Sequence, residues 1–259
     1  MNKVSFRIQA SCMVIGIAGC LLATPSAFAG FLTTPGGTAG ASILGCVDIS
    51  SLGISFLGNG SGCPTPGVFT GSGPDTGSYV GLQNNTDGGT IGSFSAPPVP
   101  GVLATPIVQY MTFLVNAGTI NFDLTQIAPG IGSGACSGAN ENNVGNTCTP
   151  SGSAYTLSQT AANTVSISLS LSGKAYFNSS STGSNLTTIT FNVPNTVPGT
   201  ISTVLAAINS TAGITDSYSA SVVSIGAAPE PGTLTMSIAG ILLLGCGLIP
   251  KRRFFRKEG

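Results

Sequence analysis

Histidine and tryptophan are absent from the 259 residues, and only 6% of them are charged. Without histidine there is no Ser-His-Asp or Cys-His nucleophile, no imidazole proton shuttle and no His-ligated zinc. Without tryptophan the usual aromatic platform for sugar rings is missing, which leaves Tyr79, Tyr110, Tyr155, Tyr176 and Tyr218, most of them in strand-like contexts where they read as core. No Cys-x-x-Cys occurs either, so no metal and no cofactor are expected.

The scarcity of charge is uneven. Of eight basic residues, Lys3 and Arg7 stand near the start, and Lys251, Arg252, Arg253, Arg256 and Lys257 near the end. Between residues 30 and 226 a single lysine, Lys174, faces Asp48, Asp75, Asp87, Asp123, Glu141 and Asp216, one cation against six carboxylates, a net −5. A weakly acidic domain is no partner for nucleic acid or anionic lipid. An ordinary soluble domain is about 25% charged, so this surface must be covered by Ser, Thr, Asn and Gly. That palette suits an exported β-rich protein. The 37 glycines and 16 prolines supply many turns without reaching a low-complexity composition. One domain large enough to bury a core is expected.

The first 29 residues have a basic start (Lys3, Arg7), an apolar run from about Cys12 to Ala23, the helix breaker Pro25, and small residues Ala27 and Ala29 around Phe28. This is the three-part pattern of a secretory signal peptide, with cleavage expected after Ala29. Ile17-Ala18-Gly19-Cys20 has the form of a lipidation site, which would make Cys20 the first mature residue. The apolar run continues past it through Leu21, Leu22 and Ala23 to the Ala-x-Ala site, so the ordinary signal is the expectation.

At the other end, residues 233–249 carry no charge. As a helix rising ~1.5 Å per residue they would span roughly 25 Å, the short edge of what crosses a hydrocarbon core. Pro250 would end that helix, and Lys251-Arg252-Arg253 would hold its far side in the cytoplasm as a membrane stop. Pro229-Glu230-Pro231 stands just before it. The order of tripeptide, apolar segment, basic cluster and chain end resembles the PEP-CTERM sorting domain of Gram-negative bacteria. The resemblance covers residues 227–259. It implies that exosortase, a membrane enzyme, recognises Pro229, Glu230 and Pro231, cleaves there and passes the protein to the cell surface or extracellular matrix, in organisms that often make exopolysaccharide. The two prolines fix φ and bar helix propagation, which would present Glu230 as a rigid handle.

Residues 30–226 form the exported domain. Apolar and polar residues alternate without a break in 120–125 and 165–171, and again in 189–193. Further candidate strands are 42–49, 52–57, 107–115, 154–158 and 217–225, separated by turn clusters such as 71–75 and 84–89. Many short strands predict an antiparallel β-sandwich, jelly-roll-like. Ile201, Val204, Leu205 and Ile208 fall at i, i+3, i+4 and i+7 and predict one short helix capped by Thr200.

Four of the seven cysteines, Cys46, Cys63, Cys136 and Cys148, belong to this domain. In an exported chain they predict disulfides, and of three connectivities the sequential one, 46–63 with 136–148, closes the shortest loops. The stretch from Phe122 to Tyr155 that contains the second pair is similar to a segment of other exported proteins with the same sorting tail, which implies a family rather than a reaction. A glycosidase needs two carboxylates, but the six acids are scattered singly. Calcium at Asp75, Asp87 or Asp123 lacks an Asp-rich loop to support it. The expectation is a surface or matrix protein without catalytic activity, associated with exopolysaccharide or biofilm. The alternative is an extracellular carbohydrate-binding or carbohydrate-active protein.

Overall fold

The computed structural model describes residue 32 and residues 37–57, 67–82, 88–136, 142–178 and 183–226. The chain divides into two compact units, Met1–Gly226 and Ala227–Gly259, and every described residue lies in the first. Its strands are β1 (Thr38–Ser50), β2 (Gly53–Leu57), β3 (Val68–Gly71), β4 (Gly89–Ile91), β5 (Gly101–Val115), β6 (Gly118–Ile127), β7 (Thr147–Cys148), β8 (Thr156–Ala161), β9 (Thr164–Phe177), β10 (Asn185–Pro198) and β11 (Ile214–Ile225). One α-helix among the described residues, α1 (Ile201–Ile208), joins β10 to β11.

The β-sandwich expected from the alternation does not form. Each strand in the series β1, β3, β4, β5, β6, β9, β10 and β11 pairs antiparallel with the next, and β11 pairs back with β1, so eight strands close into a barrel. Closure follows from the lengths and the glycines. Four long neighbours, β9 and β10 of 14 residues, β11 of 12 and β1 of 13, accumulate twist, and their outer edges, β9 and β1, are joined through β6, β5 and the short β4 and β3. At the tight seam between β6 and β9, a Cβ on Gly173 would lie 2.0 Å from the Asp123 carbonyl oxygen, so only glycine lets the two backbones approach.

The barrel is complete over half the length of the long strands. Beyond it β9 exchanges β6 for β8, while β1 exchanges β3 for β2. Helix α1 packs on β1, β8 and β11 at this second end, burying Ile201, Val204 and Ile208. The predicted face is therefore the buried one. Two aromatic clusters fill the interior: Phe69, Tyr79 and Phe113 within the closed half, Phe56, Phe191 and Tyr218 towards β2.

At the chain-terminal end a buried polar network replaces apolar packing. Asn185, fully buried, accepts from the Leu32 N–H at 2.7 Å and donates to the Ile225 carbonyl at 3.2 Å. The Ser224 hydroxyl is shared with Thr187 at 2.7 Å and Tyr79 at 3.0 Å. Every member has a partner, which is the condition under which a buried network is tolerated.

Inward positions on β9 are Val165, Ile167, Leu169 and Leu171, and outward positions are Ser166, Ser168, Ser170 and Ser172. A membrane-spanning barrel has the reverse pattern, apolar towards lipid and polar inside. The outer face of β9 does not have that pattern. Among the described residues no helix is long and apolar enough to cross a membrane. The 233–249 span expected from the sequence lies outside the described residues.

Candidate functional site

The sorting motif Pro229-Glu230-Pro231, the membrane stop Lys251-Arg252-Arg253 and the signal-cleavage residues Ala27 and Ala29 also lie outside the described residues, as do Cys63, Asp87 and Glu141. Within them, Cys136 and Cys148 form the expected disulfide, with Cα atoms 5.2 Å apart. Cys46 is disulfide-bonded as well. The bridge fixes the segment before it along β7, where Thr149 accepts from the Gly132 N–H at 2.8 Å and Thr156 accepts from the Ile131 N–H at 2.8 Å.

The acids stay apart. Asp48 lines an open cleft of about 440 Å³ with Ser50, Ser55, Ser93, Ser95 and Phe94, and accepts from the Thr215 hydroxyl at 3.3 Å. Asp123 lines a different cleft of about 300 Å³ with Pro106, Thr125, Lys174, Tyr176 and Ser184. Among the described residues each cleft thus holds one carboxylate rather than the pair that glycoside hydrolysis requires. Among the described residues no three of His, Cys, Asp and Glu gather as a metal site, and Asp75 stands away from both clefts.

The Asp123 cleft is built by a distortion. The β5–β6 ladder slips on both sides of Ile107, and Gln109 takes a left-handed φ of 52°, unusual for a residue with a side chain. Asp123 Oδ1 accepts the Gln109 N–H at 2.8 Å and the Tyr176 hydroxyl at 3.2 Å, tying the bulge to β9. Burial, and then the neighbouring Asp123 charge, raise the Tyr176 phenol above its ordinary value. Lys174 is exposed on β9 directly opposite Asp123 in register.

A third space lies inside the barrel. It has a volume of about 20 Å³, room for roughly one water, and is lined by Phe56, Tyr155, Leu169, Phe191 and Tyr218 among other apolar residues. The hydroxyls of Tyr155, Tyr218 and nearby Tyr110 are buried without a hydrogen-bond partner among the described residues. Burial raises all three phenols, that of Tyr110 with a further contribution from Tyr218.

One functional-looking residue escaped the sequence reading. Thr200 does precede α1, but it makes no side-chain cap to the helix backbone. Gln159, buried on β8, accepts the Ile201 N–H at 2.9 Å and donates to the carbonyls of Ala161, Thr164 and Gly199. Its place in β8 gave no local sign of a partner 42 residues further on.

No family model matches the chain, and no curated protein or solved structure matches it.

Proposed function

We propose that this is an exported, exosortase-processed protein of the cell surface or extracellular matrix of a Gram-negative bacterium, without catalytic activity. In this reading it crosses the inner membrane on the signal peptide of residues 1–29. It is held at the membrane until exosortase acts at Pro229-Glu230-Pro231, and thereafter works as a displayed barrel associated with exopolysaccharide or biofilm. The observation that carries the reading is the Cys136–Cys148 disulfide, because such bridges persist in oxidising compartments outside the cytoplasm. The serine-lined outer face of β9 supports it, since serine hydroxyls offer neutral hydrogen bonds to a hydrated polymer.

The second reading, a carbohydrate-binding or carbohydrate-active protein, divides on the clefts. Asp48 and Asp123 line separate ones, which favours its binding form over its hydrolytic form.

The intact mass of the native extracellular protein tests the preferred reading. A chain beginning at Gly30 and ending near residues 229–231 is expected. Recovery from the final location with residues 232–259 attached overturns it. Glu230→Ala is expected to leave export intact and processing abolished, read as retention of the larger form in the membrane fraction.

A further inference from the structure

We infer that the cleft beside the β5 bulge binds one sugar unit through a pair of adjacent hydroxyls, with Asp123 and Lys174 as the paired acceptor and donor. The inference deepens the surface-protein reading and rests on it for the source of the sugar, a polysaccharide outside the cell.

Asp123 and Lys174 stand directly opposite on β6 and β9, where cross-strand side chains ordinarily come within reach of one another. They form no ion pair with each other. Lys174 is the sole cation of residues 30–226, so no other cation of the domain can serve this carboxylate. Asp123 spends Oδ1 on Gln109 and Tyr176, which fixes the carboxylate while Oδ2 has no partner among the described residues. Both charged groups line the same cleft of about 300 Å³, at the lower end of small-molecule sites.

This arrangement selects its ligand by exclusion. An inorganic anion meets the Asp123 carboxylate, and a metal cation meets the Lys174 ammonium. What fits both is a neutral group with a donor and an acceptor on neighbouring atoms, and two vicinal hydroxyls supply that. One O–H donates to Asp123 Oδ2, and the adjacent oxygen accepts from Lys174 Nζ. Thr125, whose hydroxyl already donates to the Ser172 carbonyl at 3.2 Å, keeps lone pairs to accept a third bond, and Ser184 adds a hydroxyl. Pro106 contributes an apolar surface for the C–H face of the ring. The slips around Ile107 lift residues 103–106 off the regular ladder and so place Pro106 at the cleft. A flat ladder would not.

The test uses the purified native protein, with methyl glucoside, methyl galactoside and methyl mannoside as probes, followed by saturation-transfer NMR and calorimetric titration. At least one glycoside is expected to bind, and its 2-deoxy counterpart to bind at least tenfold more weakly when the missing hydroxyl belongs to the recognised pair. Lys174→Met is expected to weaken binding at least tenfold. It changes an exposed side chain that has no partner among the described residues and so keeps the fold. Asp123→Asn is expected to do the same, with circular dichroism reporting whether the bulge survives. Asp48→Asn, in the other cleft, is expected to leave binding unchanged.

Absence of binding by all three glycosides overturns the inference, as does wild-type affinity in Lys174→Met. Binding of glycine in place of the glycosides also overturns it, by showing a zwitterion site. A correctly processed mass with no glycoside binding removes this inference alone, whereas an unprocessed protein that binds a glycoside removes the sorting account and leaves the cleft.

Discussion

A single glutamine organises the second end of the barrel. Gln159 uses its oxygen for the first N–H of α1 and shares its two N–H donors among the carbonyls of Ala161, Thr164 and Gly199, so one amide ties four backbone groups together. Leucine has nearly the same volume but no polar atoms. Gln159→Leu therefore leaves the buried Ile201 N–H unpaired, where an unsatisfied group costs about 1–3 kcal/mol, while the half-buried or exposed carbonyls can turn to water and Thr164 keeps the Thr160 hydroxyl. A net loss of about 2 kcal/mol is expected. It would be seen as a lower urea midpoint at unchanged m-value, and a loss below about 0.5 kcal/mol would show that the amide is not the cap. The sequence made the helix itself visible through the i, i+3, i+4, i+7 pattern, because burial of one face is a local property. Its cap was not local. Thr200 sits in the correct position, yet its hydroxyl pairs with Thr203 at 3.2 Å while a strand residue supplies the bond.

At the scale of elements, strand alternation announced which faces are buried but not how the edges end. Val165 to Leu171 reads the same in a sandwich and in a barrel, since both bury one face. What separates them is whether β11 and β1, and β6 and β9, meet, and that depends on accumulated twist and on close backbone approach. Gly173 records the approach. Adding a methyl there places a carbon 2.0 Å from a carbonyl oxygen on β6, which side-chain rotation cannot relieve. Gly173→Ala is expected to cost about 3 kcal/mol, the upper range for overpacking, whereas Gly134→Ala, with open space around it, stays within about 0.5 kcal/mol. Equal thermal midpoints for the two variants would contradict the closure argument. The disulfide belongs to this scale too. Cys136 and Cys148 are 12 residues apart, and opening a loop of that size by Cys136→Ser with Cys148→Ala is expected to cost about 3 kcal/mol. The pairing was legible from loop length alone, because short loops close most readily, and calorimetry of the double variant checks its worth.

Over the whole molecule, the lack of charge shapes the response to pH. With no histidine and few ion pairs to break, the described domain has little that titrates between the carboxylates and the phenols. Its tyrosines are the opposite case: Tyr79, Tyr110, Tyr155 and Tyr218 are buried, and burial raises each phenol above its ordinary value near 10. The unfolded chain releases these protons at about pH 10, while the folded chain still holds them. Above that pH the native state binds more protons than the unfolded state, so stability falls as pH rises. Their contribution is whole below about pH 10 and is lost as pH climbs towards the raised values. Unfolding followed by circular dichroism is expected to show a flat plateau through neutral pH and a steep alkaline edge. Phenolate absorbance should rise in one cooperative step with that edge rather than ahead of it. Ordinary phenolate titration near pH 10 with the fold intact would mean that these rings reach solvent and that the interior is not a closed apolar core.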